Sequence, residues 1–205
     1  AKSGGDFYNG VVTQSLRFDD GSGAFLSRTP AGASNQKTWT FSVWIKPSNI
    51  TDSSGGAIFT RHDSGSNTFV FRLDQNDDLQ VENYTSGAYQ LHLVTDAKFR
   101  DISAWYHVVL SLDTTQGTAA NRAKLYVNGV QQTSLSASTY PSQNADLKVN
   151  AAAVHRIGAR NNDNYFDGYM AEVNFVDGTQ LAPTSFGETK NGVWIPINTS
   201  GLTFG

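Results

Sequence analysis

The octapeptide WTFSVWIK at residues 39–46 decides the fold class, because its side chains alternate between two faces of an extended chain. The even-numbered side chains are polar except for Trp44, and the odd-numbered ones are all apolar: Trp39, Phe41, Val43 and Ile45. This period of two predicts a β-strand with one face in a hydrophobic core. Pro47 ends the strand, since proline has no amide hydrogen to donate to a neighbouring strand.

Similar alternation recurs along the rest of the chain, and no segment has the periodicity of a long helix. Two short strands, Ser15–Phe18 and Ala24–Ser27, flank a glycine-containing turn and are predicted to form a hairpin. We expect polar loops at 114–121 and 134–150. Further strands are predicted at 57–61, 68–73, 79–84, 89–94, 105–112, 123–127 and 169–176. About ten short strands separated by turns predict an antiparallel sandwich or barrel.

Composition excludes several classes of protein. The chain has 205 residues, of which 16% are charged and 12% aromatic, and its net charge is −3. A weakly acidic chain is not typical of nucleic-acid binding, and no apolar run is long enough to insert into a membrane. The absence of cysteine excludes disulfides and thiol nucleophiles. We therefore expect one aromatic-rich domain over residues 1–205.

Five short stretches resemble, in the right order, the laminin-G-like (concanavalin A-like) jelly-roll family. They are SLRFD at 15–19, TFSVWIKP at 40–47, WYHVV at 105–109, LYVNG at 125–129 and FDGYMAEV at 166–173. The resemblance runs over about residues 15–178. It implies an all-β fold of two packed antiparallel sheets, with ligands bound by loops or by a concave groove, and it implies no single function.

The C-terminal extension at 179–205 carries a second resemblance. LAPTSFGE at 181–188 and GVWIP at 192–196 are similar to segments that follow such domains in bacteriophage particle proteins, such as tail fibres and capsid decorations. This implies a virion surface location, or an extracellular one, with glycans and other virion proteins as partners of a homo-oligomer. The pattern stops in mid-run at Gly205, which is consistent with a fragment of a longer protein.

Three functions remain open after these resemblances. The first is adhesion by weak, multivalent glycan binding, and the second is a purely structural module acting through protein contacts. The third is an accessory module of a glycanase, or a secreted lectin. Catalysis itself is not expected, because retaining glycosidases need two carboxyl groups about 5 Å apart. The last strand of the jelly roll offers Glu172 alone, with Asn174 two residues on.

Glycan-binding side chains are expected where aromatic rings and planar polar groups fall outside the apolar strand faces. Trp44 lies opposite the apolar face of its strand, and Tyr165 ends a polar loop. The full candidate set is Trp44, Arg72, Glu82, Tyr84, Gln90, His92 and Tyr165. For Trp44 a place in the core is an equal alternative. His107 shares a strand face with Val109 and is expected in the core.

One structural Ca²⁺ is a further expectation from the resemblance, because jelly rolls of this group hold one between an early loop and the last strand. Asp19 or Asp20 together with Asp177 would supply the hard oxygen ligands that calcium prefers. The acidic run at 74–78 is expected to form a hairpin turn and not a second calcium site. It lacks the glycine and the glutamate of a calcium-binding loop, and Asp and Asn favour turns.

Overall fold

The computed structural model describes residues 11–49, 55–64 and 66–205. Two single-turn 3-10 helices lie at Ala119–Asn121 and Pro183–Ser185. The strands, in chain order, are β1 (Leu16–Phe18), β2 (Leu26–Arg28), β3 (Thr38–Pro47), β4 (Gly56–Ser64), β5 (Asn67–Leu73), β6 (Leu79–Thr85), β7 (Ala88–Thr95), β8 (Tyr106–Asp113), β9 (Ala123–Val127), β10 (Val130–Gln131), β11 (Leu135–Thr139), β12 (His155–Ile157), β13 (Gly168–Asp177), β14 (Gly187–Lys190) and β15 (Val193–Pro196).

Two large antiparallel sheets form the fold. The six-stranded sheet has the order β1-β13-β3-β8-β9-β10, and the seven-stranded sheet has the order β11-β7-β6-β5-β4-β12-β2. β14 and β15 form a separate hairpin. This confirms the predicted all-β sandwich. Among the described residues, no helix has the length and apolar character needed to cross a membrane.

The hydrophobic core lies between the two sheets and follows the alternation of β3. Trp39, Phe41, Val43 and Ile45 are each at most 1% exposed, and all four belong to the main core cluster. The ring of Phe41 stacks on that of Phe59 from the facing sheet, with centroids 4.6 Å apart. Each such side chain contributes about 1.5–3 kcal/mol when it is fully buried, so this row fixes how the sheets pack.

The outer face of the six-stranded sheet is covered by the residues that follow β13, which we call the C-terminal segment (residues 179–202). The Ser111 hydroxyl donates a hydrogen bond of 2.7 Å to the carbonyl oxygen of Leu181. Phe186 is 2% exposed and packs in a second small cluster with Val109. This sheet is therefore buried on both faces where the segment crosses it, and its polar-looking strand positions are not solvated.

Two expectations about local structure are wrong. The predicted hairpin near the N-terminus does not form, because β1 pairs with β13 and β2 pairs with β12, in different sheets. The intervening turn is present, but it carries the chain from one sheet to the other. The predicted polar loop at 134–150 contains β11, an edge strand that pairs with β7. Its alternating small residues gave too weak a hydrophobic pattern to be recognised as a strand.

A β-bulge interrupts β13 beside β3. The register shifts between Ala171 and Asn174, so that two residues of β13 oppose one residue of β3. Glu172 adopts a left-handed conformation with φ 47° at this point, and the side-chain amide of Asn174 donates to its carbonyl oxygen at 2.9 Å. Bulges of this kind redirect the side chains that follow them.

Candidate functional site

Six polar and aromatic side chains come together on the outer face of the seven-stranded sheet. β5, β6 and β7 are consecutive strands joined by hairpins, and their register places Arg72 opposite Gln80 and Glu82 opposite His92. Side chains directly opposite each other on adjacent strands lie on the same face. We call this cluster the tyrosine patch, and its members are Arg72, Gln80, Glu82, Tyr84, Tyr89 and His92.

A relay of hydrogen bonds orients the polar members of the tyrosine patch. The Arg72 guanidinium donates twice to Oε1 of Gln80, at 2.9 and 2.7 Å. The amide nitrogen of Gln80 therefore faces Nε2 of His92, 2.9 Å away, and donates to it. His92 accepts at Nε2 and is neutral, in agreement with a pKa lowered chiefly by burial.

The aromatic part of the patch is exposed. Tyr89 is 44% exposed, and its ring stacks on the His92 ring with centroids 4.3 Å apart and planes 10° apart. Tyr84 meets Tyr89 edge to face at 5.1 Å. The arrangement presents a flat apolar surface next to oriented hydrogen-bonding groups, which is the combination that sugar rings require.

Glu82 lies in the middle of this surface and is only 9% exposed. No ion pair or side-chain hydrogen bond of the described residues includes its carboxylate, and its oxygens are not among the fully buried atoms that lack a partner, so they keep contact with solvent. Glu82 is thus an acceptor that a ligand with hydroxyl donors can satisfy.

Gln90 does not join the patch, contrary to the expectation from strand alternation. The β6–β7 register shifts between Asn83 and Tyr84, which brings Tyr89 opposite Tyr84. Gln90 consequently turns to the other side of the strand, where its side-chain oxygen accepts from Asn83 at 3.0 Å. Sequence alternation alone cannot place a bulge, so it selected Gln90 and missed Tyr89.

Trp44 is also absent from the patch, since it belongs to the other sheet. It points to the outer face of the six-stranded sheet, where residues 12–15 and 194–196 lie around it, and it is 8% exposed. Its ring stacks on His107 at 4.7 Å. Of the two alternatives for Trp44, the structure shows the buried one; strand alternation could not decide between them because it does not show what covers a sheet. His107 is fully buried, as predicted.

Tyr165 lies at the opposite edge of the seven-stranded sheet from β7. Its ring is 6.4 Å from that of Phe25, which precedes β2, and it packs against Gly23. β2 and β7 are separated by four strands of the sheet. Tyr165, in the loop between β12 and β13, therefore packs against the turn between β1 and β2, and it cannot contact the same sugar ring as Tyr89.

The acidic residues expected to hold calcium are only partly together. One carboxyl oxygen each from Asp19, Asp20 and Asp167 lie within 4.8 Å of one another. The pairing of Phe18 with Gly168 explains this, because it places the end of β1 beside the start of β13. Asp167 was not predicted, since only the pairing of these two strands reveals it.

Asp177 does not join this cluster, because it lies at the other end of the ten-residue β13. At about 3.3 Å per residue, that separation is near 30 Å. Its carboxylate instead accepts from the side-chain amide of Asn150 at 2.9 Å. The expected pairing of Asp177 with Asp19 or Asp20 is wrong.

The acidic run at 74–78 forms the β5–β6 hairpin turn, as predicted. The amide of Asp77 donates to the carbonyl oxygen of Asp74 at 2.9 Å. The carboxylates are paired with cations, with Lys98 2.6 Å from Asp78 and Arg100 2.8 Å from Asp77. These ion pairs partly neutralise the acidic run.

Several solved structures share this fold. Domain 4 of AbnA, an extracellular arabinanase of Geobacillus stearothermophilus in complex with arabinotriose, has a TM-score of 0.57 at 17% identity over 82% of this chain and 78% of that one. The mouse laminin alpha1 domains LG4-5 have a TM-score of 0.56 at 14% identity, over 83% and 44% of the two chains. The sialidase CBM40 of Ruminococcus gnavus bound to α2,3 sialyllactose has a TM-score of 0.50 at 14% identity, over 79% and 90%.

At such low identities these similarities establish the fold and not the ligand. A comparison with curated proteins finds no match to the chain. The profile of the Laminin_G_3 family, described as the concanavalin A-like lectin/glucanases superfamily, matches residues 19–183. This range includes all strands of both large sheets except β1, and it is most of the chain. The protein therefore belongs to the Laminin_G_3 family of the concanavalin A-like lectin/glucanases superfamily.

Proposed function

We propose that this domain is a glycan-binding module whose tyrosine patch binds uncharged sugars. The observation that carries the proposal is the exposed Tyr89 ring stacked on His92, which lies opposite Glu82, whose carboxylate keeps contact with solvent and has no ion-pair partner among the described residues. Sugar hydroxyls would donate to Glu82, and the apolar face of a pyranose would pack on Tyr89. Membership of a lectin and glucanase superfamily supports the same function.

The charges of the patch favour neutral ligands over acidic ones. Its one cation, Arg72, already contacts Gln80 and lies 3.2 Å from Asp74. Neutral His92 adds no positive charge. An acidic sugar would bring a carboxylate towards the unpaired Glu82 with no free cation beside it, and like charges in a partly buried site repel each other strongly.

The test is glycan-array screening followed by calorimetry with the best ligand. Tyr89→Ala removes the stacking surface and should weaken binding about tenfold, and Glu82→Gln should weaken it several-fold by replacing the charged acceptor with a neutral one. Tyr169→Ala is the matched control, because Tyr169 is 39% exposed and lies on the six-stranded sheet. Equal affinities for Tyr89→Ala and Tyr169→Ala would refute the proposed site.

We infer that the module does not itself hydrolyse glycans. Glu172 lies in the bulge of β13. The two residues of β13 that pair with β3 on either side of this bulge, Ala171 and Asn174, are uncharged. The two carboxyl groups that retaining and inverting glycosidases need on either side of the bond are not arranged on this strand. Release of reducing sugar from a polysaccharide panel, abolished in Glu172→Gln, would contradict this inference.

We further propose that the domain acts in many copies on the surface of a virus particle, outside the cell. The resemblance of 181–188 and 192–196 to phage particle proteins supports this location. A shallow strand face is suited to weak single contacts, and linked copies can raise the apparent affinity about 10²–10⁴-fold. The domain coupled to beads should therefore bind glycan-coated surfaces far more tightly than the free domain does.

A structural calcium ion held by Asp19, Asp20 and Asp167 is a separate proposal. Ca²⁺ is coordinated by about six to eight oxygen atoms. The three carboxylates would supply some of these ligands, and water would supply the others. Arg17 contacts Asp167 at 2.7 Å and partly neutralises the cluster without an ion. Bound calcium would join the end of β1 to the start of β13.

Thermal unfolding in the presence of calcium and in the presence of EDTA tests whether the domain binds the ion. At about a hundred times its dissociation constant, a ligand of the folded state adds about 2.7 kcal/mol, which corresponds to a rise in Tm of several degrees for a chain of this size. Asp20→Asn should remove the calcium response, whereas Asp177→Asn should keep it. A Tm that is the same with calcium and with EDTA would exclude the site.

A further inference from the structure

A pocket lies on the opposite side of the molecule from the tyrosine patch. It opens on the outer face of the six-stranded sheet and has a volume of about 300 Å³, at the lower end of the range of small-ligand sites. We call it the tryptophan pocket. It is lined by residues 12–15 together with Trp44, Trp105, Ala171, Trp194, Ile195 and Pro196.

Most of the pocket wall comes from outside the family domain. The family match covers residues 19–183, whereas residues 12–15 precede that range, and Trp194, Ile195 and Pro196 follow it. Trp44, Trp105 and Ala171 form the floor on the sandwich itself. The pocket is therefore a feature of this chain that the family fold alone does not provide.

The walls of the pocket are held rigidly. Trp44 stacks on His107, and His107 stacks on Trp194 with centroids 5.9 Å apart. The Trp194 indole nitrogen donates to Nδ1 of His107 at 2.9 Å. Gly129 and Gly187 confine the same indole, because a Cβ atom at either position would lie 2.6 Å from the ring. A site preorganised in this way loses little entropy when a ligand binds.

The chemistry of the lining selects an uncharged ligand with an apolar face. None of the described residues that line the pocket is charged, so a charged ligand would lose its hydration without compensation. Trp105 is 37% exposed and offers an accessible indole, while Thr13, Gln14 and Ser15 supply polar groups. The buried Trp44 indole nitrogen has no hydrogen-bond partner among the described residues, which is uncommon in folded proteins.

We propose that the tryptophan pocket is a second ligand site, which takes one uncharged pyranose unit of an oligosaccharide. A pyranose has an apolar face that stacks on indole rings and a rim of hydroxyls that reaches the polar residues at 13–15. This goes beyond the proposed function of the tyrosine patch, because the two sites share no residue and lie on different sheets. One domain would then contact two glycan chains at once.

Indole resonances in a ¹H–¹⁵N spectrum report on this site directly, since three of the four tryptophans line the pocket. The probes are cellotetraose, xylotetraose, mannotetraose and β-1,4-galactotetraose, with tetragalacturonic acid as the charged probe. We expect a neutral probe to move the N–H signals of Trp44, Trp105 and Trp194. Trp39 lies in the core between the sheets and is the internal control.

Trp105→Ala should weaken the affinity of that probe about tenfold, and its partial exposure makes the substitution tolerable for folding. Tyr89→Ala should leave these signals responsive, which separates this site from the tyrosine patch even if the patch binds nothing. Unchanged indole signals with all four neutral probes would overturn the proposal. A response that is lost in Tyr89→Ala and kept in Trp105→Ala would overturn it as well, and so would an equal response to tetragalacturonic acid.

Discussion

His107 shows how one buried side chain makes the fold sensitive to pH. Burial lowers the pKa of His107 from 6.5 to about 3. It accepts from Trp194 at Nδ1, so its Nε2 hydrogen points to the Ser42 hydroxyl 2.8 Å away. Both ring nitrogens are therefore used in the neutral form. Protonation would place a hydrogen on Nδ1, where the Trp194 donor already points.

The first prediction concerns the free energy of unfolding below neutral pH. The unfolded chain binds a proton at His107 below about pH 6.5 and the folded chain does not, so stability is complete above that pH and falls as pH decreases towards about 3. The slope from this residue is at most about 1.4 kcal/mol per pH unit. Urea unfolding of the protein and of His107→Gln at pH 7.5, 6.5 and 5.5 measures it.

The comparison isolates His107 because His62, His92 and His155 also have lowered pKa values and remain in both proteins. His107→Gln should be less stable at pH 7.5, since the Trp194 donor loses its partner at a cost of about 1–3 kcal/mol. Its stability should then fall less steeply towards pH 5.5. Parallel curves for the two proteins would show that His107 titrates normally in the folded state.

Among structural elements, the C-terminal segment has the largest effect on what the sheets expose. It covers the outer face of β3 and β8 and forms a second, smaller hydrophobic core there, in which Phe186 packs with Val109 and Val176. Without it, the apolar side chains on that face would be solvated. The segment also supplies Trp194, the upper wall of the tryptophan pocket.

Phe186→Ala tests whether this smaller hydrophobic core unfolds together with the β-sandwich in one cooperative transition. Truncating a buried phenylalanine costs about 3–5 kcal/mol, and the loss should appear as a lower urea midpoint. Phe204→Ala is the matched control, because Phe204 is 41% exposed and exposed positions rarely change stability by more than about 0.5 kcal/mol. Similar small effects of the two substitutions would mean that the segment unfolds independently of the sandwich.

Individual strands were largely predictable, because an apolar residue at every second position is a local signal. β3, β5, β6 and β8 all lie close to the predicted ranges. The side chains at the irregular positions were not predictable. The bulge beside Tyr89 turns the Gln90 side chain to the face opposite the one that strand alternation predicts. The bulge at Glu172 likewise breaks the alternation of side chains within β13.

At the scale of the whole molecule, the sequence predicted the class of the fold but not the assembly of its sites. Arg72, Glu82, Tyr84 and His92 lie together because they share one face of adjacent hairpin strands, which is a short-range relation, and their role in binding stays a prediction. Contacts between distant segments were missed, as for Asp167 beside Asp19, or were left undecided, as for the burial of Trp44. Such contacts depend on strand pairing and on packing, which alternation does not encode.

The bulge in the β6–β7 hairpin has a consequence for how binding preference can change between relatives of this domain. The outward position opposite Tyr84 is taken by Tyr89 only because of one extra residue in β7. Deleting one residue of the turn at 86–87 would give the regular register, in which Gln90 lies outward opposite Tyr84 and Tyr89 turns inward, with no other substitution. The outward aromatic surface would become an amide surface in one mutational step, so the length of this hairpin decides which side chain the face presents.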